Sequence, residues 1–298
     1  MTTTSRRGHG GFVLACLLPA LVLFVVFMVI PTMNVFRMSF YTWSGFSPNK
    51  RFVGFDNFVR LLDDDQFVLA FQNTVALLVV VTVVTMGMGL FLAAIMTRQR
   101  LRGRNLYRFI LYIPNVLSVV VIAAIFSAVY DQENGLLNGT LRLLSLDGLQ
   151  QVWLGNQGIV LYSVAFAMVW QSLGYYMVLY MSSMTIIPEE LYEAAALDGA
   201  SALTQFFDIT LPLIWQNLRT SLTFFVMSAV NLSFVLVRAM TGGGPDGASE
   251  VLLNYMYKQA YTNSSYGYGM AIGVVIFAFS FLVSLLVSRA TRREPLQF

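Results

Sequence analysis

Apolar residues fall along the chain in long blocks, without the two-residue alternation of a half-buried strand. Six stretches of at least 18 residues contain no Asp, Glu, Lys or Arg: 8–36, 66–97, 109–130, 148–188, 220–237 and 259–288. A helix needs about 20 apolar residues to cross a bilayer core about 30 Å thick. Trimmed to their apolar parts, the blocks predict helices near Phe12–Phe36, Phe71–Thr97, Phe109–Tyr130, Ile159–Met184, Thr220–Met240 and Tyr266–Ser288. In lipid only helices and closed barrels pair every backbone polar group, and barrel strands run only about ten residues with alternating polarity. The pattern predicts an all-α polytopic membrane protein with six transmembrane helices.

Composition agrees and removes other classes. Of 298 residues 57% are hydrophobic and only 11% charged, with mean hydropathy +0.69. A soluble domain is about 25% charged, so a soluble enzyme is excluded. Aromatics at 14% exclude a disordered chain. Cys16 and His9 are the sole cysteine and histidine, which excludes a disulfide framework and a Cys- or His-built metal site or triad. Val13-Leu14-Ala15-Cys16 weakly mimics a lipoprotein cleavage site. The apolar run before Cys16 is shorter than a signal core of 7–15 residues and continues past it, so the first helix reads as an uncleaved span.

Basic residues set the expected orientation. Arg6 and Arg7 precede the first span, Arg98, Arg100, Arg102, Arg104 and Arg108 sit between the second and third, and Arg289, Arg292 and Arg293 follow the last. Six crossings put these on one side, so N-in and C-in is expected. Tails 1–11 and 289–298 are expected to be cytoplasmic, flanking a transmembrane domain 12–288. The opposite segments 37–65 and 131–158 are less basic.

Several chemistries have no footing. There is no G-x-x-x-x-G-K-[ST] nucleotide loop; the two lysines, Lys50 and Lys258, do not follow glycine. Asp63-Asp64-Asp65 lacks the spaced second carboxylate of a diphosphate motif and reads as a solvated turn before the second span. The sequons at Asn138, Asn231 and Asn263 are given no weight. Ionisable groups are almost absent from the spans, with Arg238 near the end of the fifth. Proton-driven transporters place such groups inside the membrane, so any transport here draws energy from elsewhere.

One inner segment breaks the charge pattern. Residues 185–219 hold Glu189, Glu190, Glu193, Asp198 and Asp208 against Arg219 alone. Pro188 and the two following glutamates suit a helix start, Asp198-Gly199 a turn, and Ala202–Ile209 a second short helix limited by Pro212. This helix–turn–helix is far longer than a typical link of about 4–6 residues.

Glu193-Ala194-Ala195, then Gly199, Ile209 and Leu211-Pro212 at the same spacing, resemble the EAA signature of ABC-importer permeases. Phe52–Phe58, Ile113–Ser118, Thr241–Pro245 and Tyr266–Gly269 are similar to segments of the carbohydrate branch, the maltose-transporter type; Phe55 stands where that branch has Leu. The resemblance implies a type I importer permease, itself non-catalytic and binding no cofactor. Its implied partners are a second homologous permease, two ATPase subunits holding ATP and Mg, and an extracytoplasmic solute-binding protein; no nucleic acid is among them. Residues 188–199 would be the coupling helix, with Glu193 and Asp198 making polar contacts and Gly199 enforcing the turn. The cargo would be a di- or oligosaccharide or an amino sugar.

A sugar path needs hydrogen-bonding groups and aromatic faces near mid-membrane. Candidates are Asn115, Ser118, Trp170, Gln171, Tyr175, Tyr176, Asn231, Ser233 and Phe234; Gln171 shares a helix face with Tyr175, and Asn231 with Phe234. Buried polar residues also join helices to one another in lipid. Gly269-x-x-x-Gly273 suggests close packing, loop 242–247 is flexible by composition, and 249–261 suggests a short tyrosine-rich interfacial helix. The alternatives are an ion-coupled secondary transporter, or an ABC permease for a non-sugar solute such as glycerol phosphate, which would favour more basic residues in the path than Arg238.

Overall fold

A computed structural model of the chain describes residues 7–46, 48–98 and 103–292, with side chains from residue 13 onward. Arg6, Arg100, Arg102 and Arg293, with most of both expected tails, lie outside the described residues. The elements in order are α1 (Arg7–Phe24), α2 (Ile30–Met38), β1 (Tyr41–Thr42), β2 (Arg51–Phe52), α3 (Asp56–Leu62), α4 (Asp65–Arg98), α5 (Arg104–Val116) and α6 (Val119–Val129). Then come α7 (Leu136–Leu143), α8 (Val160–Met184), α9 (Glu189–Leu197), α10 (Ala202–Gln205), α11 (Leu211–Leu213), α12 (Trp215–Met240), α13 (Leu252–Tyr257) and α14 (Tyr266–Ala290). The lone sheet among the described residues is the antiparallel pair β1–β2, with Tyr41 opposite Phe52.

Among the described residues, five helical stretches are long and apolar enough to cross a membrane: Val13–Met38, Asp65–Arg98, Val160–Met184, Trp215–Met240 and Tyr266–Ala290. The expected single helix Phe109–Tyr130 is instead a pair, α5 and α6, bent by 102°. Leu117 and Ser118 turn to extended ψ values of 145° and 138°, and the break follows Pro114, whose ring removes an N–H and crowds the preceding turn. The second and fifth spans also begin earlier than hydropathy suggests, at Asp65 and Trp215, because charged and polar first turns continue the helix beyond the apolar core.

Two prolines are accommodated in the same way. Ile30 donates to the carbonyl of Val25 and Leu211 to that of Phe206, each a five-residue step that closes a π turn immediately before Pro31 or Pro212. The widened turn relieves the clash a proline makes with the carbonyl four residues back. The helix expected to end at Pro212 therefore runs through it to Leu213.

The chain forms two compact units: Met1–Asp63 with Met256–Phe277, and Asp64–Tyr255 with Ala278–Phe298. In the first, α1 is exposed on every described face from Val13 onward, and exposure continues to Asn34. A helix apolar all round and unburied is made for lipid or another helix. Asn57 donates to the carbonyls of Ser39 (2.7 Å) and Tyr41 (3.1 Å), anchoring α3 beneath the turn after α2. A Cβ at Gly267 would strike the Tyr41 carbonyl, and one at Gly269 would lie 2.8 Å from Ala260 Cβ. The small residues entering α14 thus serve packing within the unit.

The second unit is a bundle with α8 at its centre. α4 and α5 pack on α8, and α12 packs on α4, α6 and α8. Val81, Ala93, Val164, Met168, Met177, Phe225, Ala229 and Leu236 are buried there. In lipid, apolar burial alone does not favour helix association; close packing and interhelical hydrogen bonds do. Both are present. A Cβ at Gly174 would collide with the Leu111 carbonyl, so glycine lets α5 and α8 touch. The Tyr180 hydroxyl meets Met86 Sδ at 2.6 Å and Ser221 Oγ at 3.0 Å, joining α4, α8 and α12.

Candidate functional site

The acidic segment folds as the expected hairpin. α9 starts directly after Pro188, whose ψ of 136° is extended, with Glu189 and Glu190 at the positive end of the helix. It ends in a Schellman turn: Gly199 N donates to Ala196 O (3.1 Å) and Ala200 N to Ala195 O (2.9 Å), with Gly199 at φ +81°. Ser201 then caps α10 by accepting from Thr204 N at 3.2 Å. Glu193, Ala194 and Asp198 are exposed, Ala195, Ile209, Leu211 and Pro212 half-buried. Leu197 is 90% exposed, Leu203 72% and Phe207 57%. An apolar and acidic tip left in water on this scale is a surface built for a partner.

The hairpin is held by polar contacts. The Tyr192 and Thr210 hydroxyls lie 2.9 Å apart, Gln205 Nε2 donates to Ala200 O at 3.1 Å, and Arg98 at the end of α4 donates to Ala202 O at 2.8 Å. Sequence reading passed over Arg98, Tyr192, Gln205 and Thr210, since no local spacing links residue 98 to residue 202.

Deeper in the same unit, α5, α8 and α12 enclose a cavity of about 280 Å³. Asn115, Gln171, Tyr175 and Tyr176, all candidates from the sequence, line it together with Ser172, Phe225, Ser228 and Leu232. All eight are uncharged. Gln171 Oε1 accepts from Ser172 Oγ at 2.9 Å. Tyr176 is wedged edge-on between Tyr175 and Phe225, each ring centroid 5.0 Å away. A second cavity of about 410 Å³ shares Tyr175 and Tyr176 and continues along α8 and α12 past Leu179, Ser182 and Asn217 to Ile186. Together the two trace a groove from Asn115 to the foot of the hairpin. Gln171 and Ile186 are 15 residues apart, roughly 22 Å along a helix rising about 1.5 Å per residue.

Five other expected residues stand elsewhere. Ser118 opens α6 beyond the break and is exposed. Asn231 is exposed and Phe234 half-buried, and neither lines either cavity. Ser233 is buried with its hydroxyl on Val230 O at 2.8 Å. The α12 face in use carries Asn217, Ser221 and Ser228, and Asn231 is turned about 60° away from Ser228. That recurrence of polar residues at four and seven positions was the signal available in the sequence. Trp170 packs edge-on against Phe126 at 5.4 Å.

The bland readings also resolve. Asp64 caps α4, its Oδ1 accepting from Gln66 N and Phe67 N at 3.1 Å and its Oδ2 from Tyr255 Oη at 2.6 Å. Asn138 is 2% exposed and fully engaged with Gln132, Gln151 and Trp153, so it offers no acceptor for a glycan. Cys16 lies mid-helix in α1. The glycine loop after α12 is ordered by contacts: Asn73 donates to the carbonyls of Gly247, Ala248 and Glu250, and Ser249 Oγ bridges Thr241 and Gly244. The helix expected over 249–261 is α13, continued by a π turn Lys258–Thr262.

A mostly helical membrane domain with a polar groove inside and a partner-seeking hairpin at one end of that groove is the architecture of a transport permease. The profile of the family "Binding-protein-dependent transport system inner membrane component" matches residues 85–293, and the chain belongs to this family of multi-pass ABC-importer permeases. It is 40% identical over 273 residues to the Probable ABC transporter permease protein YurN of Bacillus subtilis, covering 91% of this chain and 92% of that one. It is 35% identical over 291 residues to the Diacetylchitobiose uptake system permease protein NgcF of Streptomyces coelicolor, covering 94% and 82%. A crystal structure of a bacterial ABC transporter involved in alginate import contains a chain of the same fold, with TM-score 0.84, 23% identity and 96% coverage of both chains.

Proposed function

We propose that this chain is the permease subunit through which a neutral carbohydrate, a di- or oligosaccharide or an amino sugar, enters the cell. The observation that carries the reading is the cavity lined by Asn115, Gln171, Ser172, Tyr175 and Ser228, which offers amide and hydroxyl groups beside aromatic rings and no charge. Such walls suit sugar hydroxyls and apolar sugar faces. A glycerol phosphate would call for a cation there. Relatives named for diacetylchitobiose uptake and for alginate import support the carbohydrate class.

In this reading a second homologous permease completes the groove, a solute-binding protein delivers the cargo, and two ATPase subunits bind ATP and Mg beneath. The chain stands N-in and C-in, with 1–11 and 289–298 as cytoplasmic tails around the permease domain 12–288. The coupling loop 185–219 seats Glu193, Ala194, Ala195, Asp198 and Gly199 against an ATPase, while Ile209, Leu211 and Pro212 anchor its return leg. The energy is mechanical: closure of the ATPases moves the hairpins and opens the groove to the far side. The test is ATP hydrolysis by the complete transporter in lipid, with its binding protein loaded with neutral sugars or with glycerol phosphate. Stimulation by a neutral sugar is the expected result; stimulation by glycerol phosphate alone overturns the substrate class.

A further inference from the structure

Arg98, the last residue of α4, is bonded to both legs of the hairpin. One guanidinium nitrogen donates to Ala202 O at 2.8 Å and the other to Gln205 Oε1 at 2.8 Å. The same group lies 4.7 Å from the centre of the Tyr192 ring in α9. One side chain therefore grips α10 by two hydrogen bonds and α9 by a cation–π contact. Gln205 passes the grip to the turn through Ala200 O (3.1 Å), and Tyr192 to the return leg through Thr210 (2.9 Å). A rigid planar fork with five donors suits this; a lysine ammonium has no plane to stack and only a point charge to share.

The space beside this grip is a cavity of about 430 Å³, bounded by Ala94 and Thr97 of α4, Met184 and Ile187 at the end of α8, and Phe206 of the hairpin. Close-packed interiors transmit displacement because they have few voids. Here the seam between α4 and the hairpin is open, and Arg98 spans it by side-chain contacts. α4 in turn packs along α8, the helix that contributes Gln171, Tyr175 and Tyr176 to the groove. We propose that Arg98 is the positioning residue that couples hairpin displacement to α4, and through α4 to the substrate groove. This rests on the reading of 185–219 as the ATPase-docking hairpin.

The experiment uses the complete transporter in proteoliposomes, with uptake and ATP hydrolysis measured on the same preparation for the wild type, Arg98→Ala, Arg98→Lys and Tyr192→Phe. Arg98→Ala removes both hydrogen bonds and the ring contact at once, and is expected to lower uptake per ATP by about tenfold. ATPase co-purification and hydrolysis should stay within about twofold of wild type, because the docking tip is untouched. Arg98→Lys should keep part of the coupling, and so should Tyr192→Phe, which keeps the ring beside Arg98 but loses the hydroxyl that meets Thr210. Unchanged uptake per ATP in Arg98→Ala overturns the proposal. Loss of the ATPase subunits from Arg98→Ala also overturns it, since Arg98 would then hold the hairpin fold without transmitting its motion. Failure of the docking reading itself shows differently: Glu193→Ala and Gly199→Val would leave ATPase association intact.

Discussion

Replacing Gly199 separates backbone strain from bulk at the coupling turn. Its φ of +81° is the left-handed region, which costs a side-chain-bearing residue roughly 1–2 kcal/mol, and asparagine less. No atom lies within 4 Å of an added Cβ, so within this chain the whole penalty comes from φ. That region is needed for the bonds from Gly199 N to Ala196 O (3.1 Å) and Ala200 N to Ala195 O (2.9 Å), which set the direction of the chain leaving α9. A cost of 1–2 kcal/mol lowers the ratio of correctly turned to misdirected hairpin by a factor of about 5–30. Gly199→Asn and Gly199→Val add side chains of similar size and differ in tolerance of positive φ. Uptake by the reconstituted transporter is expected to fall by that factor in Gly199→Val and to remain within about threefold of wild type in Gly199→Asn. Equal losses in the two variants would refute the backbone argument and point to a plain steric limit against the partner.

The groove, the core and the loop after α6 each give a further test. Gln171→Ala and Ser228→Ala should each raise the cargo concentration for half-maximal uptake by up to about tenfold, one hydrogen bond's worth, with resting ATP hydrolysis unchanged; normal uptake in both would move the substrate elsewhere. Gly174→Leu should abolish uptake by forcing α5 off α8, whereas Gly139→Ala, where nothing lies within 4 Å of an added Cβ, should behave as wild type in the same assay. Asn138→Leu leaves Trp153 Nε1 and Gln151 N without their acceptor, at about 1–3 kcal/mol each, and should lower the midpoint of thermal unfolding in detergent by several degrees.

Hydropathy located the spans because lipid imposes one rule on every crossing residue, and long uncharged runs have few other causes. It missed the break after α5 because Leu117 is as apolar as its neighbours; the cause is backbone geometry after Pro114, invisible to a hydropathy sum. The hairpin was legible through Asp198-Gly199, Pro188 and the glutamates, all local signals. Arg98 was not, because its hydrogen-bond partners lie more than 100 residues along the chain. Gln171 and Tyr175 share a face of α8 by their four-residue spacing, and both line the cavity. On α12 it is Ser228 that lines the cavity and not Asn231, although Asn231 is the stronger hydrogen-bonding residue. Side-chain chemistry ranked the candidates, whereas helix rotation decides which of them face the groove.

The break between α5 and α6 bears on how this protein enters its membrane. At about 1.5 Å per residue, the 13 residues of α5 reach roughly 20 Å and the 11 of α6 roughly 17 Å, and a bilayer core is about 30 Å thick. Neither half crosses alone, and their 102° bend prevents them from adding into one straight crossing. The carbonyls ending α5 and the amides opening α6 would meet hydrocarbon in a nascent chain. α5 finds its cover on α8 and α6 on α12, both synthesised later. Stable insertion of residues 104–129 therefore has to wait for the two spans that follow it, so a ribosome-bound chain ending before α8 should hold only its first two crossings firmly in the bilayer.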